Sequence, residues 1–439
     1  MFRYYLKLGV LSIRANPALS ALMAAAIAIG IGACMSIVTV RHVMTDNPIA
    51  HKNDVLLHVQ LDNWNPDDPY DEPNEPPEQV TYIDATALHQ AGRAFRQTIS
   101  FKSDRVVQPD GDDAKPFQEV VRATTADFFA MFDVPFEYGG GWDSAADQTE
   151  ERVVVISAAM NQRLFGGEDS VGRMMTMNND PYRVAGVLAE WMPLPKFYDL
   201  NNNPYEGAED IFLPFSLAVT GEWGSSGNNS CWKPIDGGSY ADYLASECIW
   251  IQMWVELKSA SDRGTYLQFL DDYVEQQKQL GRFPRDLNNR LSTPAEWLLN
   301  REVVDETIDV LLSLAALFLL VCLLNTIGLL LAKVMRRTND ISLRRALGAS
   351  KSALFSQYII EAGMIGIAGG IAGIGMTWLG LQGLENVFSD YDFIAYLIKM
   401  DWSMVMLAVL LAIVSALGAA LYPTWRACSV SPATALRIQ

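Results

Sequence analysis

The sequence predicts a membrane protein with four transmembrane α-helices and a large α+β extracytoplasmic domain inserted between the first and second helices. Two observations carry this prediction: four long segments lack any charge, and nearly all acidic residues lie between the first two of them. Half of the 439 residues are apolar, although the chain also carries 51 carboxylates. Such a composition requires the apolar and the acidic residues to be segregated along the chain.

The uncharged segments are each 23 or 24 residues long. At a rise of about 1.5 Å per residue, a helix of that length crosses a hydrocarbon core of about 30 Å. The first segment is about twice as long as the apolar region of a cleaved signal peptide, so we expect it to be retained as a helix. With their flanks, the four predicted transmembrane helices cover 17–44, 308–332, 355–384 and 402–425.

Basic residues beside these helices set the predicted orientation. Segment 1–16 is predicted to be an amphipathic helix on the membrane surface, with a simple basic flank as the alternative. Together with loop 333–354 and the C-terminal tail, it holds 11 basic residues and one acid. By the positive-inside rule these three segments are cytoplasmic, and segment 45–305 is then extracytoplasmic. The acidity of that segment argues against a nucleic-acid partner. The basic residues are Arg3, Lys7, Arg14, Lys333, Arg336, Arg337, Arg344, Arg345, Lys351, Arg426 and Arg437.

The extracytoplasmic segment has patterns of both strands and helices, which predict an α+β domain with its own core. We expect the Pro- and acid-rich stretch 63–77 to be an exposed loop, and the Gly- and Asn-rich tract 198–240 to consist of long loops. Strands are predicted at 55–61, 151–157 and 249–257, helices at 158–165 and 266–281, and a hairpin over 174–187 that turns at Asn178-Asn179-Asp180.

Two cysteines, Cys231 and Cys248, lie in this extracytoplasmic segment. An oxidising compartment allows a disulfide between them, and two free buried thiols are the alternative. Motifs for nucleotide, metal and hydrolytic sites are absent: the sequence has no G-x-x-x-x-G-K-[ST], H-E-x-x-H, C-x-x-C or G-x-S-x-G. We therefore expect no catalytic residue, metal site or cofactor in this chain, and any ATPase would be a separate chain.

Two features of the third predicted transmembrane helix stand out. Glu361, about two turns inside it, is an ionisable group in a membrane segment, which either has a function or pairs with a basic residue near the headgroups. The same helix contains two overlapping small-xxx-small pairs, which predict close contact with another helix. The alternative is that glycine is simply frequent in transmembrane helices. The pairs are Gly366 with Gly370 and Gly369 with Gly373.

Loop 333–354 combines basic residues with apolar residues at helical spacing. We predict a short amphipathic helix in which Ile341, Leu343, Ala346 and Leu347 form one stripe, continued by Leu354 after a break. Such a helix suits docking into a groove on another protein, whereas the alternative is a solvated positive loop. The predicted docking residues are Asp340, Ile341, Leu343, Arg344, Arg345, Leu347 and Gly348.

The loop motif R-R-T-N-D-I-S-L-R-R-A-L-G-A at 336–349 resembles the signature of MacB/FtsX-like ABC permeases, which is close to R-x-R-E-I-G-[LI]-R-[RK]-A-[LI]-G-A. The tail 422–437 is similar to the closing motif of that family, and 139–142, 153–157 and 182–187 are similar to its periplasmic core domain. Three residues depart from the usual loop motif, so the docking surface suits a dedicated partner: Asn339, Asp340 and Ser342.

The resemblance implies a permease subunit of an ABC-type efflux complex in the bacterial inner membrane. Segment 45–305 would be the MacB-type core domain, and 306–439 the FtsX-like domain with helix 340–349 as the coupling element. The expected partners are a separate ATPase that binds ATP with Mg²⁺, a second permease and, in export systems, a periplasmic adaptor. ATP-driven motion of the ATPases would move the periplasmic domains and export a substrate such as a drug or peptide. Lipoprotein extraction from the inner membrane, as in Lol-type permeases, and regulation of a cell-wall hydrolase or signalling partner are the alternatives.

Overall fold

The computed structural model describes residues 2–111, 115–301, 303, 306–336, 338–387 and 402–429. The chain divides into two compact units, one formed by 1–44 with 304–439 and the other by 45–303. In chain order the helices are α1 (Phe2–Ala15), α2 (Pro17–Thr45), α3 (Tyr82–Ala91), α4 (Asp127–Met131), α5 (Ser144–Thr149), α6 (Ala158–Phe165), α7 (Phe215–Thr220), α8 (Tyr240–Leu244), α9 (Arg263–Gln279), α10 (Pro294–Asn300), α11 (Glu306–Arg336), α12 (Thr338–Ala346), α13 (Lys351–Val387) and α14 (Trp402–Ser429).

Four helices of the first unit, α2, α11, α13 and α14, are long and apolar enough to cross a membrane in the part of the chain that the structure describes. Their shared core consists mainly of small and aliphatic side chains, which let the helix backbones approach closely. α1 packs on α13 through Gly9, where an added Cβ would lie 2.9 Å from the sulfur of Met364. The core includes Met23, Ile27, Ile31, Leu319, Ala362, Ile365, Ala408, Ala412 and Ala416.

The second unit is built on an 11-stranded mixed sheet. The path of paired strands runs β11-β1-β10-β3-β4-β9-β6-β8-β5, while β2 pairs with β10, and β7 pairs with β3 and β8. The strands are β1 (Leu56–Gln60), β2 (Val80–Thr81), β3 (Arg96–Gln108), β4 (Phe117–Thr124), β5 (Phe136–Gly139), β6 (Val153–Ile156), β7 (Met174–Met177), β8 (Asp180–Leu188), β9 (Ile211–Pro214), β10 (Ile249–Glu256) and β11 (Arg290–Ser292).

Both faces of this sheet are covered, which explains the continuous apolar run of β6. Val154 and Ile156 belong to the apolar cluster on one face, and Val153 and Val155 to the cluster on the other. Side chains alternate across a strand, so a strand buried on both faces has no alternation of polar and apolar residues.

Local signals define several elements as the sequence predicts. Asn178 and Asn179 adopt positive φ angles of 47° and 69° in the turn that joins β7 to β8. Asparagine tolerates this conformation, and it gives the turn the twist that a hairpin requires. The Ser157 side chain accepts a hydrogen bond from the Met160 amide at the start of α6, and Gly166 ends that helix with φ of 76°.

The prediction of long loops throughout 198–240 is wrong. Tract residues 211–214 form β9, which pairs in parallel with β4 and antiparallel with β6, and α7 follows immediately. All four residues of β9 are buried. A run of four apolar residues is too short to be recognised as a strand by its periodicity, and only pairing with distant strands stabilises it.

The stretch 63–77 contains neither helix nor strand, as expected of a loop. Side chains distant in sequence nevertheless hold it to the domain. The Arg285 guanidinium donates to the backbone oxygens of Asn65 and Pro73 at 3.0 and 2.7 Å, and the Asn288 amide donates to the Asn74 oxygen at 2.9 Å. The acidic loop is therefore fixed by polar contacts rather than by regular structure.

Candidate functional site

The loop between α11 and α13 contains the predicted short helix, α12, over Thr338–Ala346. Gly348 follows it with φ of 101°, a left-handed conformation that favours glycine. The Gly348 and Ala349 amides donate to the Arg345 and Arg344 oxygens at 3.1 and 3.0 Å, which is the hydrogen-bond pattern of a Schellman motif. Ser350 then accepts from the Ala353 amide at 3.2 Å and caps α13. Tight caps on both sides of the turn fix the direction of α12 relative to α13.

The predicted single apolar stripe of this helix is divided between two faces. Ile341 is only 5% exposed and packs with Val334 of α11 and Leu354 of α13. Leu343 and Leu347 are 55% and 80% exposed. Two residues on from Ile341, Leu343 lies on the opposite side of the helix because each residue turns by about 100°. Ile341 therefore attaches α12 to its own transmembrane helices, and Leu343 with Leu347 forms a separate exposed apolar face.

Polar contacts also attach α12 to α13. The Arg344 guanidinium donates to Gln357 Oε1 at 3.3 Å, and Gln357 is buried. Arg345 is half-buried. The side chain of Asp340 and tail residues 430–439 lie outside the described residues. Among the apolar residues predicted to dock, Leu343 and Leu347 are thus exposed, whereas Ile341 is buried.

The four glycines of α13 contact two different helices. An added Cβ at Gly366 or Gly370 would lie 2.6 or 2.9 Å from the Cβ of Ala416 or Ala412 on α14. At Gly369 or Gly373 it would lie 2.8 or 3.1 Å from the nearest side-chain atom of Ile27 or Ile31 on α2. The two overlapping small-xxx-small pairs therefore form two adjacent surfaces, and α13 lies between α14 and α2.

We expect Gly366→Leu to destabilise the transmembrane bundle by about 1–3 kcal/mol, because the added side chain overlaps Ala416 of a packed helix. Gly375→Leu is the matched control, since an added Cβ there has no atom within 4 Å and the residue is exposed. It should be neutral or slightly stabilising, because leucine favours helix. The thermal unfolding midpoint in detergent measures both effects, and equal midpoints would contradict the close packing of α13 on α14.

Glu361 of α13 is buried and forms an ion pair. Its Oε1 lies 2.5 Å from Nζ of Lys333 on α11 and accepts a hydrogen bond from Ser12 of α1 at 2.7 Å. Lys333 also donates to Ser20 of α2 at 3.1 Å. The sequence indicated Glu361 and a basic partner in general, but it did not identify Lys333, because nothing in the spacing shows which helices are neighbours.

In the extracytoplasmic unit, Cys231 and Cys248 form a disulfide with a Cα–Cα distance of 4.2 Å. The neighbouring residues Ser230 and Ile249 form an isolated antiparallel β-bridge. The disulfide and the β-bridge together connect the end of the 198–240 tract to the start of β10.

Sequence analysis missed a buried polar site of this unit. Arg122 of β4 is fully buried and contacts the carboxylates of Asp199 and Glu209. Lys196 Nζ lies 3.3 Å from Glu209 Oε1, and the Tyr198 hydroxyl donates to Glu209 Oε2 at 3.0 Å. We call Arg122, Lys196, Asp199 and Glu209 the ionic cluster. It connects segment 196–209, which contains a 3-10 helix over Phe197–Asn202, to the centre of the sheet.

Burial opposes the ionisation of Arg122, Lys196 and Glu209, but the opposite charges around each of them outweigh burial. The charges of Arg122 and Lys196 hold the pKa of Glu209 well below its usual range, although burial raises it. The sequence offered one signal: Arg122 interrupts the run V-V-R-A-T within β4. A charge in a buried strand requires an opposite charge nearby, but sequence does not show where that partner lies.

No group of three or more His, Cys, Asp or Glu side chains is arranged to bind a metal ion among the described residues. Long apolar helices and a large inserted mixed-sheet domain define the class of this protein. It is a multi-pass membrane protein with a large extracytoplasmic domain.

Two family models match the chain: the MacB-like periplasmic core domain over residues 20–268 and the FtsX-like permease C-terminal domain over residues 312–432. The chain therefore belongs to the MacB/FtsX-like ABC transporter permeases. The second match begins within α11 and includes α12, α13 and α14 up to their described ends.

Curated relatives are considerably longer than the region of similarity. The chain is 27% identical over 249 residues to a pyoverdine export ATP-binding/permease protein of Pseudomonas syringae pv. syringae, which covers 56% of the chain and 33% of that protein. It is 26% identical over 379 residues to a macrolide export ATP-binding/permease protein of Rhodospirillum rubrum, covering 84% of the chain and 51% of that protein. The chain thus spans about a third to a half of the length of these relatives.

Among solved structures, the periplasmic region of MacB from Actinobacillus actinomycetemcomitans is similar at 12% identity with a TM-score of 0.36. The similarity covers 58% of this chain and 98% of that structure.

Proposed function

We propose that this permease couples ATP hydrolysis by a separate ABC ATPase to movement of its extracytoplasmic domain, and thereby exports a substrate. The observation that carries this proposal is the exposed apolar face of α12, formed by Leu343 and Leu347. The absence of a phosphate-binding loop in the sequence supports a partner that binds the nucleotide. The names of the pyoverdine and macrolide export relatives, which combine ATP-binding and permease functions, favour export over the alternatives.

The geometry of α12 suits transmission of force. Ile341 and Arg344 attach the helix to α11 and α13, so a partner that moves α12 also moves the ends of these transmembrane helices. Leu343 and Leu347 project away from that attachment, and each contributes about 1.5–3 kcal/mol when a partner covers it fully. A helix with a two-residue apolar face and adjacent arginines fits a cleft that is apolar at its base and acidic at its rim.

The function also implies an assembly. We propose that two permeases, identical or paralogous, act together with two ATPases, and that a periplasmic adaptor receives the substrate in the export system. No substrate passes between the helices in this mechanism, because the moving part is the extracytoplasmic domain. The proposed cargo is a drug-like or peptide-like molecule that is already outside the inner membrane.

The test of this proposal is the double variant Leu343→Glu with Leu347→Glu. We expect it to insert normally but to lose ATPase co-purification and permease-stimulated ATP hydrolysis, because it forfeits apolar burial and places two charges against a closed surface. The permease and the ATPase are co-expressed, purified in detergent through a tag on the permease, and assayed for bound ATPase and for ATP turnover.

Lys351→Glu is the matched control, because it changes the net charge by the same two units at an exposed residue beside α12. It should retain the ATPase, since exposed charges contribute under about 1 kcal/mol. If the double leucine variant binds the ATPase and stimulates it like the unmodified permease, α12 is only a solvated helix and the proposed coupling is wrong.

A further inference from the structure

One buried ion pair joins four helices of the transmembrane unit. Glu361 Oε1 of α13 lies 2.5 Å from Lys333 Nζ of α11. The same oxygen accepts a hydrogen bond from the Ser12 hydroxyl of α1 at 2.7 Å. Lys333 also donates to the Ser20 hydroxyl of α2 at 3.1 Å. All four side chains are buried. Each of these helices therefore contributes a polar group to the same contact.

Stability alone does not explain this arrangement. Removing two charges from water is costly, and apolar residues of similar volume commonly replace a buried ion pair without loss of stability. The other carboxylate oxygen of Glu361, Oε2, is buried without a hydrogen-bond partner among the described residues. An unsatisfied buried oxygen lowers the stability of the folded state further. What an ion pair offers over packed methyl groups is a directional contact that fixes the register of the helices.

The ion pair lies beside the residues that hold α12. On α11, Lys333 is followed directly by Val334, which packs against Ile341 of α12. On α13, Leu354 and Tyr358 contact the same apolar cluster, and the paired carboxylate is three residues further along the helix. The attachment of α12 and the four-helix contact therefore lie within one turn of each other on α11 and within about two turns on α13.

We propose that Lys333 and Glu361 are positioning residues that transmit a displacement of α12 to α1 and α2. This inference rests on the proposed function, because it assumes that an ATPase moves α12. The extracytoplasmic unit is flanked along the chain by α2, which ends at Thr45, and by α11, which begins at Glu306. Because α11 already contacts α12 through Val334 and Ile341, α2 is the flanking helix that needs the ion pair to receive the displacement. The contacts to Ser12 and Ser20 make these helices follow the shift of α11 and α13, whereas an apolar contact would let them slide.

The test compares three forms of the full permease with its ATPase in lipid nanodiscs. They are the unmodified chain, the apolar variant Lys333→Met with Glu361→Met, and the charge-swapped variant Lys333→Glu with Glu361→Lys. Three quantities are measured for each: ATPase binding, the unfolding midpoint, and the difference in hydrogen–deuterium exchange of residues 45–303 between nucleotide-free and ATP-vanadate-trapped states. The last quantity reports transmission and requires no knowledge of the substrate.

We expect the apolar variant to bind the ATPase with unchanged affinity and to unfold at the same temperature or higher. Its exchange difference in 45–303 should fall at least about fivefold, a loss typical of a broken coupling between sites. The charge-swapped variant keeps an ion pair and two serine partners, so it should retain most of the exchange difference between the nucleotide-free and the trapped state. This rescue separates transmission from a merely structural role, because both variants alter the same two buried positions.

An apolar variant with the full exchange difference would overturn the inference, and so would a charge-swapped variant that folds, binds the ATPase and transmits nothing. Failure of the proposed function has a different signature, since the unmodified permease would then neither bind the ATPase nor change its exchange on addition of nucleotide.

Discussion

Arg122→Met lowers the stability of the extracytoplasmic domain by about 3–5 kcal/mol, the usual cost of removing one partner from a buried ion pair. Arg122 is fully buried between the carboxylates of Asp199 and Glu209. Its loss leaves Glu209 with Lys196, and leaves Asp199 with the neutral amides of Gln252 and Asn202 as donors. Asp199 then has only these neutral donors in contact and the more distant charge of Lys196, which compensates its burial poorly and destabilises the folded domain.

The matched control is Arg152→Met, which removes an ion pair of the same type from the surface of the same domain. Arg152 Nη1 lies 2.7 Å from Asp180 Oδ1, but both side chains are about half exposed. Its loss should change stability by under about 1 kcal/mol. Intrinsic tryptophan fluorescence during thermal unfolding of the full chain in detergent measures both variants. Similar midpoints for the two would show that the ionic cluster does not hold segment 196–209 in place.

Acid lowers the stability of the same domain through His58, with an expected slope of about 1.4 kcal/mol per pH unit from this single residue. The His58 ring stacks on Trp297 at 4.1 Å and contacts Trp254 at 5.0 Å between ring centroids. Both ring nitrogens are buried without a hydrogen-bond partner among the described residues. Burial lowers the pKa of His58 to about 3; the nearby Gln252 side chain opposes this shift, and the charge of Arg301 adds to it.

The sign follows from the two protonation states. Between the ordinary histidine pKa of 6.5 and about 3, the unfolded chain binds a proton that folded His58 does not, so falling pH favours unfolding throughout this window. Above pH 6.5 the residue has no effect. His58→Phe keeps an aromatic ring between the two tryptophans and removes the titration.

We therefore expect the difference in unfolding free energy between His58→Phe and the unmodified chain to increase as the pH falls from 6.5 towards 4.5. At pH 7.5 the variant should be at least as stable, since phenylalanine leaves no unsatisfied nitrogen. Carboxylates titrate in both proteins and cancel in the difference. Parallel curves over the whole range would show that the His58 ring becomes protonated within the folded domain.

Elements with a strong local signal were predictable from the sequence. Helix α6 has the predicted bounds 158–165, because a serine cap and a terminal glycine mark both ends. The hairpin of β7 and β8 turns at Asn178 and Asn179, the residues that a tight turn favours. By contrast β3, R-Q-T-I-S-F-K-S-D-R-V-V-Q, has no clear alternation, although it is the longest strand described. Its polar side chains are buried by partners from distant strands, so tertiary contacts override its composition.

At the candidate site, too, some features of α12 were predictable from the sequence and others depend on tertiary contacts. Its position, its basic character and the terminating glycine follow from the sequence. The division of its apolar residues depends on Val334 and Leu354, which cover Ile341 and leave Leu343 and Leu347 exposed. Periodicity gives the angle between two side chains on a helix but not the side on which neighbouring helices pack.

The sequence by itself determined the transmembrane helices, their orientation and the insertion of a large acidic domain, because length, apolar composition and charge asymmetry act locally along the chain. Only the tertiary structure decided which charges meet. Arg122 pairs with Asp199, which is 77 residues away in the sequence. Glu361 contacts Lys333 at a sequence separation of 28 residues and Ser12 at a separation of 349 residues. Desolvation makes a partner obligatory for each buried charge, but the identity of that partner depends on which strands and helices the fold makes neighbours.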